Sequence, residues 1–530
     1  MGPAGLMNRW FVAALALLTA IGLGLRLPEL GLRPMHNDEG VNAMKFRLLW
    51  VNNSYKYDPN EFHGPTLPYM TLPSALLGGT RDFNQFTLAT FRAVPAVFGA
   101  GLILLLLILE PDFGKGETLS AAALIAVSPA MVFYSRDYIH EMLLVFFTAL
   151  SFFSGRRYVR SGLLGWALAA GIGLGLMCAT KETFVFALAA LALAIGSSAV
   201  WSRWPRVIPS GGSGACENRV AWQGIILALL AALVVAALFF SSFFTNAGGL
   251  LDALRTYVPW IRRAGGQTPH AHSWAFYFHR ILWFHAGGGP VWSEAFVAAL
   301  AAAGFFAALF GTARALWRLI AFYTVWLTLI YTVLAYKTPW CLLGFYHGMI
   351  LLAGVGAASL LRACKTVRCK TAVALALAAG VGQLGWQAWR GNFAIDKAGV
   401  PYCSSPKNPC VYSQTSPDIL QLVGVVDALA RVSRDGYGTI VEVMSPQSYW
   451  PLPWYLRRFT HVGYWDQIPD QPPAPIMIVS TELRAAFDEQ PGKTHLMAGY
   501  YQLRPNVFME LYVSVPLWAE YAKTLPPEKD

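Results

Sequence analysis

Charge is what this chain has least of. Only 13% of its 530 residues are Asp, Glu, Lys or Arg, while 55% are hydrophobic. Soluble proteins carry roughly twice that share of charge, so an ordinary water-soluble fold is excluded for most of the length. No low-complexity segment interrupts the chain, and no internal repeat is strong enough to mark the inverted halves common among transporters. Cysteine is sparse as well, with seven residues.

Apolar stretches take the place of charge. Segments long enough to cross a bilayer, about 20 residues each, can be read near 9–27, 84–109, 117–134, 140–155, 162–179, 183–201, 221–244, 291–311, 318–335, 340–360 and 371–389. They predict about eleven transmembrane helices and a mainly α, polytopic membrane protein. The first stretch reads as an uncleaved anchor, since no clear small-residue cleavage site follows it. Alternate loops, "SGRRYVRSG", "WSRWPRV" with "CENRV", "GTARALWR" and "LLRACKTVRCK", are basic and almost free of acid. The positive-inside rule places them and the N-terminus in the cytoplasm. The net charge of +11 is then mostly topology, with anionic membrane lipid as its partner and no nucleic acid implied.

The opposite loops face outward, and all ten His residues fall there, near outer span ends or in the tail. The outer face is therefore the chemical face. Cys364, Cys369 and Cys216 lie on the cytoplasmic side, and Cys178 and Cys341 near span ends, where free thiols are expected. Cys403 and Cys410 are the only pair in the outer tail, where oxidation permits a local disulfide across "CSSPKNPC".

Hydropathy drops near residue 400, so the chain divides into a membrane body, 1–390, and an extracytoplasmic α/β domain, 391–530. In the tail, "SPDILQLVGVVDALARVS" predicts a helix, "GTIVEVM" and "PIMIVS" buried strands, "WYLRRF" and "TELRAAFDE" helical pieces, and "HLMAGYYQL" and "FMELYVSV" further strands. The long outer loop 245–290 contains "WAFYFHRILWFHAGGGP", with His279, Arg280 and His285. It reads as an interfacial helix followed by a glycine hinge, or as a plain aromatic belt.

The first outer loop, 28–83, holds the candidate chemistry. Asp38 and Glu39 stand about ten residues beyond the first span, near the membrane surface, where a reaction on a lipid head group would occur. A carboxylate there can accept a hydroxyl proton, coordinate a divalent cation, or cap the helix that starts near Asn37 and Asp38. "SRDYIHE" adds Arg136, Asp137, His140 and Glu141; if helical, it sets Asp137 and Glu141 on one face. "ATKET" adds Lys181 and Glu182, and "YKTPW" adds Lys337. Taken singly, each is an ordinary interfacial anchor. Together they suggest carboxylates for an attacking hydroxyl or a metal, and cations for a phosphate leaving group. Arg92 lies inside a span and should face the bundle interior or a polar cavity. His63 shares the Asp38 loop.

The Asp-Glu pair after span one, the "GPTLPYM" entry and "FRAVPAVFGA" in span two resemble the C-type (GT-C) membrane glycosyltransferases, near the protein O-mannosyltransferases and the lipid A aminoarabinose transferases. Together with "FHGPTLPY", "SRDYIHEMLL", "ATKET", "AYKTPW" and "YWPLPWYLRRF", the pattern more closely resembles a prokaryotic family of surface-glycosylation membrane proteins in that superfamily. The resemblance implies a polyprenyl-phosphate sugar donor, a lipid, protein or glycan acceptor, and inverting transfer at the outer face of the plasma membrane. It matches Asp38 to the catalytic base, Glu39 to its acidic neighbour, and Glu141, or else Asp137, to the second acid. His63 stands where the aminoarabinose-transferase pattern has an acid, so a divalent metal, with His63 and Glu141 as candidate ligands, is not required. Lys181, Lys337, Arg136 and Arg92 are candidates for the departing phosphate, and His285 and Trp454 for substrate contacts. A transporter or flippase for lipid-linked sugars and a non-catalytic scaffold are the rival readings. The enzyme reading requires Asp38, His63, Glu141, Lys181 and Lys337 to converge under a roof made by the tail domain.

Overall fold

The computed structural model describes residues 3–60, 63–203, 221–265, 268, 270–311, 315–490 and 492–526. Cys216 and the basic segments 204–220 and 312–314 lie outside the described residues.

The membrane body opens with α1 (Pro3–Arg26), α2 (Asn37–Asn52), α3 (Thr66–Leu77), α4 (Leu88–Phe113), α5 (Lys115–Val127), α6 (Pro129–Tyr134) and α7 (Glu141–Ser161). Next come α8 (Leu164–Cys178), α9 (Phe184–Arg203), α10 (Trp222–Phe240), and the short α11 (Gly249–Arg255), α12 (Tyr257–Gly265) and α13 (Phe276–Leu282). It closes with α14 (Ala295–Phe310), α15 (Ala315–Val333), α16 (Leu343–Ala363) and α17 (Val367–Phe393). Among the described residues eight helical stretches are long and apolar enough to cross a membrane, and α8 and α14 are apolar but shorter.

The expected eleven spans are thus not all single membrane-length helices. The stretch 117–134 breaks where Pro129 removes a backbone donor and Ser128 Oγ accepts Met131 N–H at 3.3 Å, ending α5 and starting α6. "SRDYIHE" is not helical either: 136–140 form turns and bends, and α7 begins only at Glu141. Asp137 and Glu141 therefore share no helix face. The loop 245–290 holds three short helices in place of one interfacial helix, and its Gly-rich end folds back so that Phe284 pairs with Trp292.

Close packing at the bundle centre depends on small residues, which let helix backbones touch where lipid offers no hydrophobic drive. A Cβ added at Gly304 of α14 would stand 1.9 Å from the Leu352 carbonyl oxygen, and one at Gly356 of α16 would stand 2.0 Å from that of Leu300.

The tail carries α18 (Asp418–Val432), β1 (Val441–Met444), α19 (Leu452–Tyr455), β2 (Val462–Trp465), β3 (Ile476–Ser480), β4 (His495–Arg504), β5 (Val507–Ser514) and α20 (Val515–Ala522). The sheet order is β2-β1-β3-β5-β4; β1 is parallel to β2 and β3, and β5 is antiparallel to β3 and β4. Central β1 and β3 are buried at every position, which explains their unbroken apolar runs. "TELRAAFDE" forms only one turn of 3₁₀ helix, Thr481–Leu483, while the half-exposed β2 and terminal α20 carried no clear pattern.

Among the described residues the bonded cysteines are Cys364 and Cys369, with Cα atoms 5.5 Å apart, in place of the free thiols expected there. Cys403 and Cys410 are free and buried. Cys403 lies beside Arg33, Arg92 and Arg136, whereas Cys410 adjoins Arg280 and Glu294, so the two residues line different crevices.

Replacing Gly356 by Val should abolish the monodisperse size-exclusion peak of detergent-purified protein or sharply lower its melting temperature. Gly382→Val, at a site in α17 with no atom within 4 Å of the added Cβ, should behave as the parent.

Candidate active site

Consecutive helical residues point about 100° apart, so Asp38 and Glu39 meet different surroundings. Glu39 is fully buried. Its Oε1 accepts from Arg92 Nε at 2.7 Å and Tyr138 N at 2.9 Å, and its Oε2 from Arg92 Nη2 at 2.5 Å and His36 N at 2.8 Å. Arg33 stands 3.6 Å from Oε1. Burial alone would raise the Glu39 pKa; the Arg92 and Arg33 charges outweigh it and hold the carboxyl well below the usual range. Arg92 spends its remaining donors on the carbonyls of Leu30, Arg33 and Pro34. All five of its N–H groups are then engaged, leaving none for a phosphate.

Asp38 is half-buried, and its carboxylate accepts from the Asn37 amide at 3.4 Å. No cation pairs with it among the described residues. The helix start is not capped by Asn37 or Asp38 but by His36, whose Nδ1 accepts the Asp38 N–H at 3.2 Å while Glu39 bonds back to the His36 N–H. One turn on from Asp38, Asn42 donates to the Tyr138 carbonyl at 3.0 Å. Lys45, at the next helical repeat, is close enough to depress the His140 pKa electrostatically. Asn42 and Lys45, which share a helix face with Asp38, therefore border the loop before α7.

That loop meets two others. Gly64 N donates to Thr180 O at 3.0 Å, and Thr66 N to Ala179 O at 3.1 Å. A Cβ on Gly64 would lie 2.1 Å from the Ala179 oxygen, so glycine is what lets the His63 loop lie on the "ATKET" turn. His63 Nδ1 sits 3.2 Å from Glu182 Oε2, its ring is 5.0 Å from that of His140, and Lys181 bonds Glu141. Burial would lower the Lys181 pKa, but Glu141 reverses this and raises it well above the ordinary value. Burial, with His63 and Lys181 beside it, pushes His140 well below its ordinary range, leaving a neutral ring.

Below this cluster lies a cavity of about 540 Å³ enclosed by α7–α10, α15 and α16. Its lining is overwhelmingly apolar, with Glu141, Lys181, Trp340 and Cys341 near the tail-side end. Glu141 and Val159 of α7 both line it, and at about 1.5 Å per residue they stand about 27 Å apart. That approaches the roughly 30 Å thickness of a bilayer's hydrocarbon core.

The other sequence candidates are placed elsewhere. Arg136 donates to the carbonyls of Arg26, Pro28 and Glu29 at the end of α1 and lies over Phe393. Asp137 pairs with Arg33 at 3.1 Å; burial, against that neighbour, raises its pKa to about 6. Lys337 is buried and donates to the carbonyls of Leu334 and His272, and it does not line the cavity. His285 is exposed on the Gly-rich return. Trp454 is buried against Phe83, Phe91 and the Arg457 guanidinium, fastening the tail to the bundle. Lys45 and His36 escaped the sequence reading, although their spacing from Asp38 was the available signal.

A family model described as dolichyl-phosphate-mannose-protein mannosyltransferase matches residues 63–237. No curated protein sequence matches the chain. Among solved structures, ArnT from Cupriavidus metallidurans bound to undecaprenyl phosphate superposes with a TM-score of 0.63 at 13% identity, over 96% of this chain and 99% of that one. The Archaeoglobus fulgidus oligosaccharyltransferase tethered with an acceptor peptide gives 0.52 at 13% identity, over 86% and 63%. The arabinofuranosyltransferase AftD from Mycobacteria gives 0.50 at 15% identity, over 96% and 40%. The fold is that of the GT-C membrane glycosyltransferases.

Another structure of the archaeal GT-C oligosaccharyltransferase is a complex with Zn and sulfate. Of the two candidate ligands, Glu141 is paired with the Lys181 ammonium and His63 Nδ1 lies against Glu182. Among the described residues no group of three or more His, Cys, Asp or Glu is arranged to hold a metal ion.

Because removing one member of a buried ion pair strands the other, Glu39→Ala should destabilise the protein by about 3–5 kcal/mol, read as early thermal unfolding in detergent. Asp38→Ala should unfold near the parental temperature.

Proposed function

We propose that this protein is an integral membrane glycosyltransferase that moves a sugar from a polyprenyl-phosphate donor to an acceptor hydroxyl at the extracytoplasmic face of a prokaryotic plasma membrane. The observation that carries the reading is the apolar cavity that runs the length of α7 and ends, on the tail side, at the Glu141–Lys181 pair. A long apolar tail fits its depth, which sets the attached phosphate near Lys181 and Lys45. ArnT, whose fold this chain shares, was solved with undecaprenyl phosphate bound.

In this reading Asp38 accepts the proton of the acceptor hydroxyl as its oxygen forms the new bond to the sugar's anomeric carbon. The bond from that carbon to the phosphate oxygen breaks on the opposite side, with inversion, and the electron pair leaves on the lipid phosphate. Lys181, kept charged by Glu141, and Lys45 stabilise the developing charge. Glu39 and Arg92 are fully spent on each other and on backbone, so they hold Asp38 in place without touching substrate. Lys337, tied to two carbonyls, supports the loop before Trp340. The basic residues Arg156, Arg157, Arg160 and Arg203 lie on the end of α7 and α9 away from the tail, which supports a cytoplasmic N-terminus and an extracytoplasmic tail.

Asp38→Asn, purified in nanodiscs, should lose transfer by at least a hundredfold from a labelled polyprenyl-phosphate sugar to an envelope extract, scored by mass. It should still bind the lipid phosphate. Leu191→Trp, which narrows the cavity, should weaken that binding while leaving the folded peak intact. Transfer by Asp38→Asn at the parental rate would remove Asp38 as the base.

A further inference from the structure

His36 joins three parts of the molecule through one ring. Its Nδ1 accepts the Asp38 N–H at 3.2 Å. Its Nε2 lies 3.1 Å from the carbonyl oxygen of Tyr412, at the root of the tail. Its edge meets the Trp340 ring, centroid to centroid 5.7 Å, and Trp340 lines the cavity. A carbonyl can only accept and a backbone N–H can only donate. Both contacts are hydrogen bonds only if Nε2 carries the proton and Nδ1 does not, so the surroundings select one neutral tautomer.

The residues on either side of His36 are held in the same way. Gln414 donates to the Pro34 carbonyl at 3.0 Å, and Thr415 Oγ1 to that of Met35 at 2.7 Å. Tyr455 accepts the Met35 N–H at 2.9 Å, and Glu39 the His36 N–H at 2.8 Å. Segment 34–36 is therefore clamped by the tail. The ring of His36 carries that constraint into the first turn of α2, where Asp38 stands.

We propose that His36 is a positioning residue for the Asp38 carboxylate, transmitting the docking of the tail domain to the base through the helix cap. The inference rests on Asp38 being the base. The Asp38 backbone N–H is one of the orphan donors of the helix start, and the imidazole is its partner. Without it the first turn frays and the carboxylate samples orientations that miss the acceptor hydroxyl; misplacement by about 1 Å can cost about a hundredfold in rate. His36 itself does not line the cavity, so donor binding is expected to change far less than the chemical step.

Asn at position 36 can restore the cap oxygen but not the reach to Tyr412. Gln can restore the longer reach but is a poor cap. In full-length protein in nanodiscs, His36→Ala and His36→Gln should each lower kcat tenfold or more with the donor KM within threefold of parent, while His36→Asn should recover kcat to within about threefold. Equal kcat for parent and His36→Ala would overturn the proposal. So would equal losses in the Ala and Asn variants, which would make His36 a mere anchor for the tail. Asp38→Asn run beside them separates the two failures: if it retains transfer, the base assignment itself falls, whereas if it is inactive and His36→Ala is not, only the positioning role falls.

Discussion

The ion pair between Glu39 and Arg92 is the constraint on which the tail-side half of the molecule depends. Two ions removed from water are costly unless every donor and acceptor is met, and here five guanidinium donors and four carboxylate lone pairs are all used. The partners belong to segment 30–36, the second turn of α4, the start of α2 and the loop before α7. One pair thus fixes the distances among four pieces of chain that hydrophobic contact alone would leave free to slide. The tail domain docks on the same pieces, through Tyr455 on Met35 and Pro451 over Gly40.

That saturation also accounts for two acids standing side by side. The first turn of α2 directs Glu39 inward, where its charge is spent on structure, and leaves Asp38 half-buried with no cation paired to it among the described residues. A carboxylate already bonded to an arginine is a poor proton acceptor because its charge is stabilised. Asp38 has no arginine bonded to it among the described residues. The ordering of the bundle is thus carried by one acid, and the other is the one the proposed reaction uses as its base.

Much of this was legible in the sequence. Apolar length placed most helices of the bundle, and strands β1 and β3 declared themselves because burial on both faces leaves an unbroken apolar run. Edge strand β2 and α20 did not, since a half-exposed element need not hold a pattern. The break at Ser128–Pro129 was written in the sequence, but a continuous apolar run concealed it. His63, Glu141 and Lys181 were read as neighbours from their sidedness alone. Arg92 and Arg136 were read as cations facing a ligand because sequence shows charge but not how many donors backbone carbonyls already occupy. Trp454 misled for a similar reason: an aromatic beside Pro and Arg looks like a binding surface until its ring is seen against Phe83 and Phe91.

The cavity and the charged cluster divide the work between them. In the proposed reaction the lipid tail is the same before and after transfer, so an apolar cavity binds donor and spent lipid phosphate alike. Such uniform binding retains the lipid but cannot lower the barrier to the chemical step. Acceleration has to come from groups that meet something new in the transition state: a proton leaving the acceptor and charge gathering on the phosphate. Those groups are few, and they stand where the cavity stops being apolar. A buried Lys181 held charged by Glu141 is preorganised for that charge, since its ammonium is already desolvated and oriented before the phosphate departs.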